Sequence, residues 1–340
     1  MKKPIIIPAV VVAGIGVISA LLSTAATSDT SVIEVNNDRV TKHFNMLIVP
    51  DLSNRIDISK HSKAVSDLDI INSILDNIAP VYLKSDNRRM NQKDRFQVIL
   101  TNQQLINKHH VATVNFLVDF SRFDKQRDRI DYIMNRSEGS TLEKDVASMK
   151  SEVKALYAEA VKDCAGADIW SALKNLNTSQ VMPKGSLKIL KTDDGNIFKN
   201  EYRNVMILMT DGYIEADMYS ENYNTQKVHQ CLSKKRIDAF KSAYKRNGKG
   251  RTLNQFFAEE GYGITPIINP LLEELEILVM EIDDRSLNTM GNATEEISDR
   301  DVIDLFWKDW LNKSGVKYFD LKSKASSIYE AESHILKFLK

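Results

Sequence analysis

Three short stretches, residues 46–49 (MLIV), 205–209 (VMILM) and 276–282 (EILVMEI), are apolar almost without interruption. A strand with no polar face is buried on both sides, which is the mark of a parallel sheet covered by helices above and below. Residues 96–100, 111–120 and 316–321 read as three further strands. Between the strands the period changes to that of a helix. Val65, Leu68, Ile71, Leu75 and Ile78 form one amphipathic stripe, closed by Pro80. Val146, Met149, Val153, Leu156 and Ala160 form another, preceded by Ser140 and Glu143 at capping-box spacing. Residues 168–176, the set Val302, Leu305, Phe306 and Trp310, and the set Ile328, Ala331, Ile335, Leu336 and Leu339 add three more helices. The alternation predicts an α/β fold: a Rossmann-like open, mostly parallel six-stranded sheet with helices on both faces. Residues 213–262 show no clear strand and read as a helical insertion after the strand at 205–209.

The first residues stand apart from this body. Met1-Lys2-Lys3 precedes an apolar run over residues 5–22, followed by Ser23-Thr24-Ala25. A basic start, an apolar stretch and small residues at a cleavage position describe a secretory signal. The run is also close to the ~20 residues that span a bilayer, so a retained membrane anchor is the second reading. Both imply export, to a periplasm or a cell surface, with the two lysines on the cytoplasmic side. The expected organisation is a signal or anchor at 1–26, a polar linker at 27–43 and one domain at 44–340. In an oxidising compartment the two cysteines, Cys164 and Cys231, are either a disulfide or two buried thiols.

Lys and Arg together number 46, equal to Asp plus Glu, so the net charge is zero. An obligatory nucleic-acid partner is disfavoured by that balance. The six histidines show no zinc spacing. From Lys234 to Arg251 eight basic residues stand against the single acid Asp238, and Ile237, Ala239, Phe240 and Tyr244 fall at helical spacing. A surface helix with a solvated face explains that run better than an anion-binding patch.

In open α/β sheets the site lies beyond the carboxyl ends of the strands, where strand order reverses. Met46-Leu47-Ile48-Val49-Pro50 runs into Asp51, and Val205 to Thr210 runs into Asp211-Gly212. If the two strands are neighbours, two carboxylates and the Ser53 hydroxyl meet at one edge, an oxygen set that suits a hard cation such as Mg²⁺.

These residues resemble the von Willebrand factor A family. Asp51-Leu52-Ser53-Asn54-Arg55, then Gly166-Ala167-Asp168-Ile169-Trp170-Ser171-Ala172-Leu173, then Met209-Thr210-Asp211-Gly212 look like its three signature segments in the family's order. The resemblance spans roughly residues 44–340 and implies a metal-ion-dependent adhesion site, holding Mg²⁺ or Mn²⁺, on top of a six-stranded sheet. In the family the first segment reads Asp-x-Ser-x-Ser, the second supplies a Thr and the third an Asp. Asp51, Ser53 and Asp211 match, whereas Arg55 stands at the second serine position and Ala167 at the threonine. Asp168 is a neighbouring candidate. Either a cation binds despite the two missing hydroxyls, or Arg55 is itself the internal cation between Asp51 and Asp211, or Arg55 points into solvent. All three leave a module that binds an unidentified protein partner, with a membrane reached only through residues 5–22.

The rival reading is a metal-dependent phosphatase or hydrolase using Asp51 and Asp211. Such an enzyme needs a second carboxylate two residues after its nucleophile, and that position is Ser53. No Gly-x-Ser-x-Gly elbow, Walker loop or His-Glu-x-x-His is present. The expected chain is therefore not an enzyme.

Overall fold

The computed structural model describes residues 39–57, 63–87, 91–101, 116–163, 167–191, 197–215, 229–288 and 290–340. The apolar run at 5–22 and Cys164 lie outside them. No helix among the described residues is long and apolar enough to cross a membrane. Strands β1 (Arg39–Pro50), β2 (Arg95–Val98), β3 (Leu117–Asp119), β5 (Ile197–Met209), β6 (Leu275–Ile282) and β7 (Tyr318–Ser323) lie in the order β3-β2-β1-β5-β6-β7. The short β4 (Leu190–Lys191) pairs with the start of β5. All neighbours along the main path are parallel except β2 and β3. The α/β class and the open, mostly parallel sheet are as the apolar runs predicted.

The helices are α1 (Asp67–Asp76), α2 (Gln126–Ile133), α3 (Leu142–Asp163), α4 (Ile169–Lys174), α5 (Lys234–Asn247), α6 (Leu253–Glu259), α7 (Asp299–Lys313) and α8 (Ile328–Leu339). Alternate strand residues feed two separate cores, because successive side chains leave a strand on opposite faces. Met46, Ile48, Val205, Ile207 and Met280 pack with Ile71 and Ile74 of α1, Met149 and Val153 of α3 and Ile335 of α8. Leu47, Val49, Met206, Leu208 and Val279 pack with Ile169 of α4, Phe240 of α5, Phe256 of α6 and Phe306 and Trp310 of α7. This two-sided burial is why the central strands carry no polar stripe.

Two local readings change. The helix at 142 is capped by Thr141, whose hydroxyl accepts from Lys144 N (3.3 Å), while the Ser140 hydroxyl donates to Asp145 (2.6 Å). β1 begins at Arg39, inside the stretch read as linker, because its polar first half pairs in register with Phe198 to Arg203 of β5. There Asn45 donates to Asn204 (2.8 Å), and His43 shares a hydrogen bond with Asn200 (2.9 Å). The insertion at 213–262 holds α5 and α6 and no strand among its described residues.

Candidate functional site

Strand order reverses between β1 and β5, and these two strands carry Asp51 and Asp211 just past their ends. Pro50 pairs with Met209, and the Asp51 N–H donates to the Met209 carbonyl (2.9 Å), so the ladder runs to the edge. Asp51 is 1% exposed. Its Oδ1 accepts from Ser53 N (3.0 Å) and its Oδ2 from the Thr210 hydroxyl (2.7 Å). Burial pushes the Asp51 carboxyl above its usual range; Arg55 opposes that rise, Asp211 adds to it, and hydrogen bonds from Thr210 and Ser53 favour the charged form.

Arg55 lies in a single 3₁₀ turn (Asn54–Ile56) that turns its side chain under the sheet edge, where it is 1% exposed. Its Nη2 donates to Asp67 Oδ2 (2.5 Å) and to the Met209 carbonyl (2.6 Å). Its Nε lies 3.6 Å from Asp51 Oδ2, an ion pair beyond hydrogen-bond length. Burial works against the charge on Arg55, but Asp67, Asp51 and Asp211 outweigh it and raise the guanidinium above its ordinary value. Asp67 is the first residue of α1, held by the Ser66 capping box, and its other oxygen accepts from Lys63 (2.9 Å). Burial opposes ionisation there too, yet Arg55 and Lys63 hold the Asp67 carboxyl below its ordinary value. The solvent-facing reading of Arg55 is thereby overturned. So is its pairing with Asp211, since the turn directs the guanidinium toward α1.

Asp211 has a different arginine. Arg285, from the loop after β6, donates to Asp211 Oδ2 (2.7 Å), and its guanidinium lies 3.9 Å from the centre of the Tyr213 ring. Burial would lower Arg285, but Asp211 and Glu215 raise it. The Tyr213 hydroxyl donates to Asp299 (2.6 Å), and Asp299 also receives Lys241 (2.5 Å) and Lys234 (3.2 Å). Burial disfavours the Asp299 charge, but hydrogen bonds from Lys241, Tyr213 and Lys234 hold it below the usual carboxylate range. The basic run is divided: Lys235, Lys245, Arg246 and Lys249 are exposed, as a surface helix with a solvated face predicts, and the others engage the fold. Lys241 is buried, Arg236 donates to the Cys231 and Gly263 carbonyls, and Arg251 pairs with Glu259 and Glu260. Gly212 closes the edge with φ at +88°, and its carbonyl accepts from Trp307 Nε1 (2.8 Å).

Asp168 is the N-cap of α4, its carboxylate accepting from Ser171 N (2.8 Å), and Ala167 beside it is buried. Ser53 is half-buried, and Cys231 is buried. The sequence reading missed Asp67, Lys63, Thr210, Arg285, Tyr213 and Asp299. Two signals were present: Ser66-Asp67-Leu68-Asp69 is a capping box, and Asp283-Asp284-Arg285 follows an apolar strand as Asp51 and Asp211 do.

The residues do not fit a divalent ion. Two of the three hydroxyl positions of the expected shell are an arginine and an alanine, and each acidic anchor has a guanidinium partner. Among the described residues no group of three or more His, Cys, Asp or Glu side chains is arranged to hold a metal. Compared with protein-family models and with curated proteins, the chain matches none.

Proposed function

We propose that the chain is an exported, von Willebrand factor A-like protein-binding module, whose partner docks on the C-terminal edge of the sheet around Asp51, Ser53 and Asp211. The observation that carries this reading is the adjacency of the β1 and β5 ends, with Asp51 N–H bonded to the Met209 carbonyl across the reversal point. That is where open α/β sheets bind ligands. Residues 5–22 act as the export signal or anchor. The phosphatase alternative is weakened by the burial of Asp51 and by its engagement with Thr210, which leave no carboxylate oxygen presented as a nucleophile.

The test is site-specific photo-crosslinking of the full chain in cells that make it. The crosslinker is placed at Lys324, just past the C-terminal end of β7, and separately at Lys317, at its opposite end. Both side chains are 48% exposed. The reading predicts one defined crosslinked protein from position 324 and none from 317. Equal products at both positions, or none at 324, contradict it. Turnover of a generic phosphate ester that is lost in Asp51→Asn would favour the hydrolase instead.

A further inference from the structure

Arg55 is a fully buried cation in a shell of oxygens. Asp51 comes from the end of β1, Asp67 from the first turn of α1 and the Met209 carbonyl from the end of β5. Three separate segments therefore converge on one side chain. Carboxylate and carbonyl oxygens are the ligands a hard divalent ion selects. We propose that Arg55 is the resident cation of this edge: its guanidinium occupies the place where a divalent ion would bridge Asp51 and Asp67, keeping the edge ordered without metal over a latent cation site.

At most two negative charges, on Asp51 and Asp67, face the two positive ones of Arg55 and Lys63, with Lys63 at 2.9 Å from Asp67, and the burial that raises Asp51 only subtracts from the negative side. The cluster is balanced without an ion. A divalent ion added beside Arg55 would meet a like charge in a poorly screened place. A guanidinium also does not lose its proton at any ordinary pH, so it cannot vacate the role by titration.

Nη2 already uses the Asp67 oxygen and the Met209 carbonyl at 2.5 and 2.6 Å. Asp51 is turned toward Thr210 and Ser53 N. The fit of the guanidinium itself is incomplete, because Nε and Nη1 find no hydrogen-bond acceptor among the described residues. Buried donors are normally satisfied, and leaving two open carries a desolvation cost. The guanidinium is thus gripped at one nitrogen, Nη2, while its other two make no hydrogen bond among the described residues. The second acid, Asp211, repeats the device with Arg285.

For binding, the inference rests on the protein-binding reading above: a partner would dock without needing Mg²⁺ or Mn²⁺. The test needs no partner, so it can fail while that reading stands, and the reverse. Mn²⁺ is titrated into the full wild-type chain, Arg55→Ser and Arg55→Ser/Asp51→Asn, with bound ion read by electron paramagnetic resonance. Unfolding is followed in parallel with Mn²⁺ and with chelator. The expected result is no saturable Mn²⁺ on the wild type and at least ~10-fold tighter binding on Arg55→Ser. The double variant loses that site. Refolding of Arg55→Ser by Mn²⁺, if chelator unfolds it, supports the proposal equally. Mn²⁺ held by the wild type and released by Asp51→Asn overturns it, as does a folded Arg55→Ser that binds no more tightly than wild type. Should Arg55→Ser fold in neither condition, the same titration on Arg55→Gln decides: Mn²⁺ bound at least ~10-fold tighter than by the wild type supports the proposal, and no gain overturns it.

Discussion

Replacing Arg55 by Met removes the guanidinium while keeping most of its aliphatic volume. Taking one partner from a buried ion pair costs ~3–5 kcal/mol, because the remaining charge is left without compensation. Here the loss is softened. Asp67 keeps Lys63 at 2.9 Å, and Asp51 keeps the Thr210 hydroxyl at 2.7 Å. The two orphaned donors on Arg55 also vanish. The expected cost at pH 7 is therefore near the lower bound, ~3 kcal/mol. With a urea slope of roughly 3 kcal/mol/M for a chain of this size, the midpoint falls by ~1 M. The pH dependence gives a second reading. The folded Asp67 carboxyl is depressed, so its contribution is full above the unfolded value near ~3.9 and is lost as pH falls through the folded one. Asp51 is raised by burial and restrained by Arg55, so without Arg55 it rises further and takes up a proton on folding. The variant then recovers relative to wild type on acidification, by at most ~1.4 kcal/mol per pH unit for one proton. Urea unfolding followed by circular dichroism at pH 7 and pH 5 measures both. A cost below ~1 kcal/mol, or one that grows on acidification, refutes the buried-pair reasoning.

Lys241→Met leaves Asp299 with only Lys234 and Tyr213, so urea unfolding loses ~2–3 kcal/mol, below the full cost of an uncompensated pair. Gly212→Ala forces an L-residue to φ +88° and sets a Cβ 2.9 Å from an Ile303 methyl; thermal or urea unfolding registers a loss of ~2 kcal/mol or more. Asp168→Ala removes a helix cap and costs ~1 kcal/mol, whereas Asp168→Ser holds stability near wild type. If Asp168 were instead a metal neighbour, the Ser variant would not restore the behaviour of the protein.

What the sequence disclosed follows from which interactions are local. The central strands were legible because Met46–Val49 and Val205–Met209 are apolar at every position, and only burial on two faces explains that. The same runs located Asp51 and Asp211, since an acid placed after a buried strand sits at the sheet edge. The first half of β1 was not legible. Its residues 39–45 are mostly polar, and they form a strand because Asn200 and Asn204, some 157–159 residues away, satisfy His43 and Asn45. Arg55 was legible as an anomaly but not in its pairing. Its partner Asp67 lies 12 residues on, beyond a turn, and reads on its own as a helix-start residue. Arg285 was hidden for a related reason: its role depends on the Tyr213 ring and on a loop path that no periodicity encodes.

The most direct measurement is a crystal of the protein grown in Mn²⁺ and read by anomalous scattering at the manganese edge. The account predicts no anomalous peak at coordination distance from Asp51, Asp67 or Asp211, with Arg55 density continuous to Asp67 and the Met209 carbonyl. A peak bound by Asp51, Ser53 and Asp211, with Arg55 swung out of the shell, would contradict it.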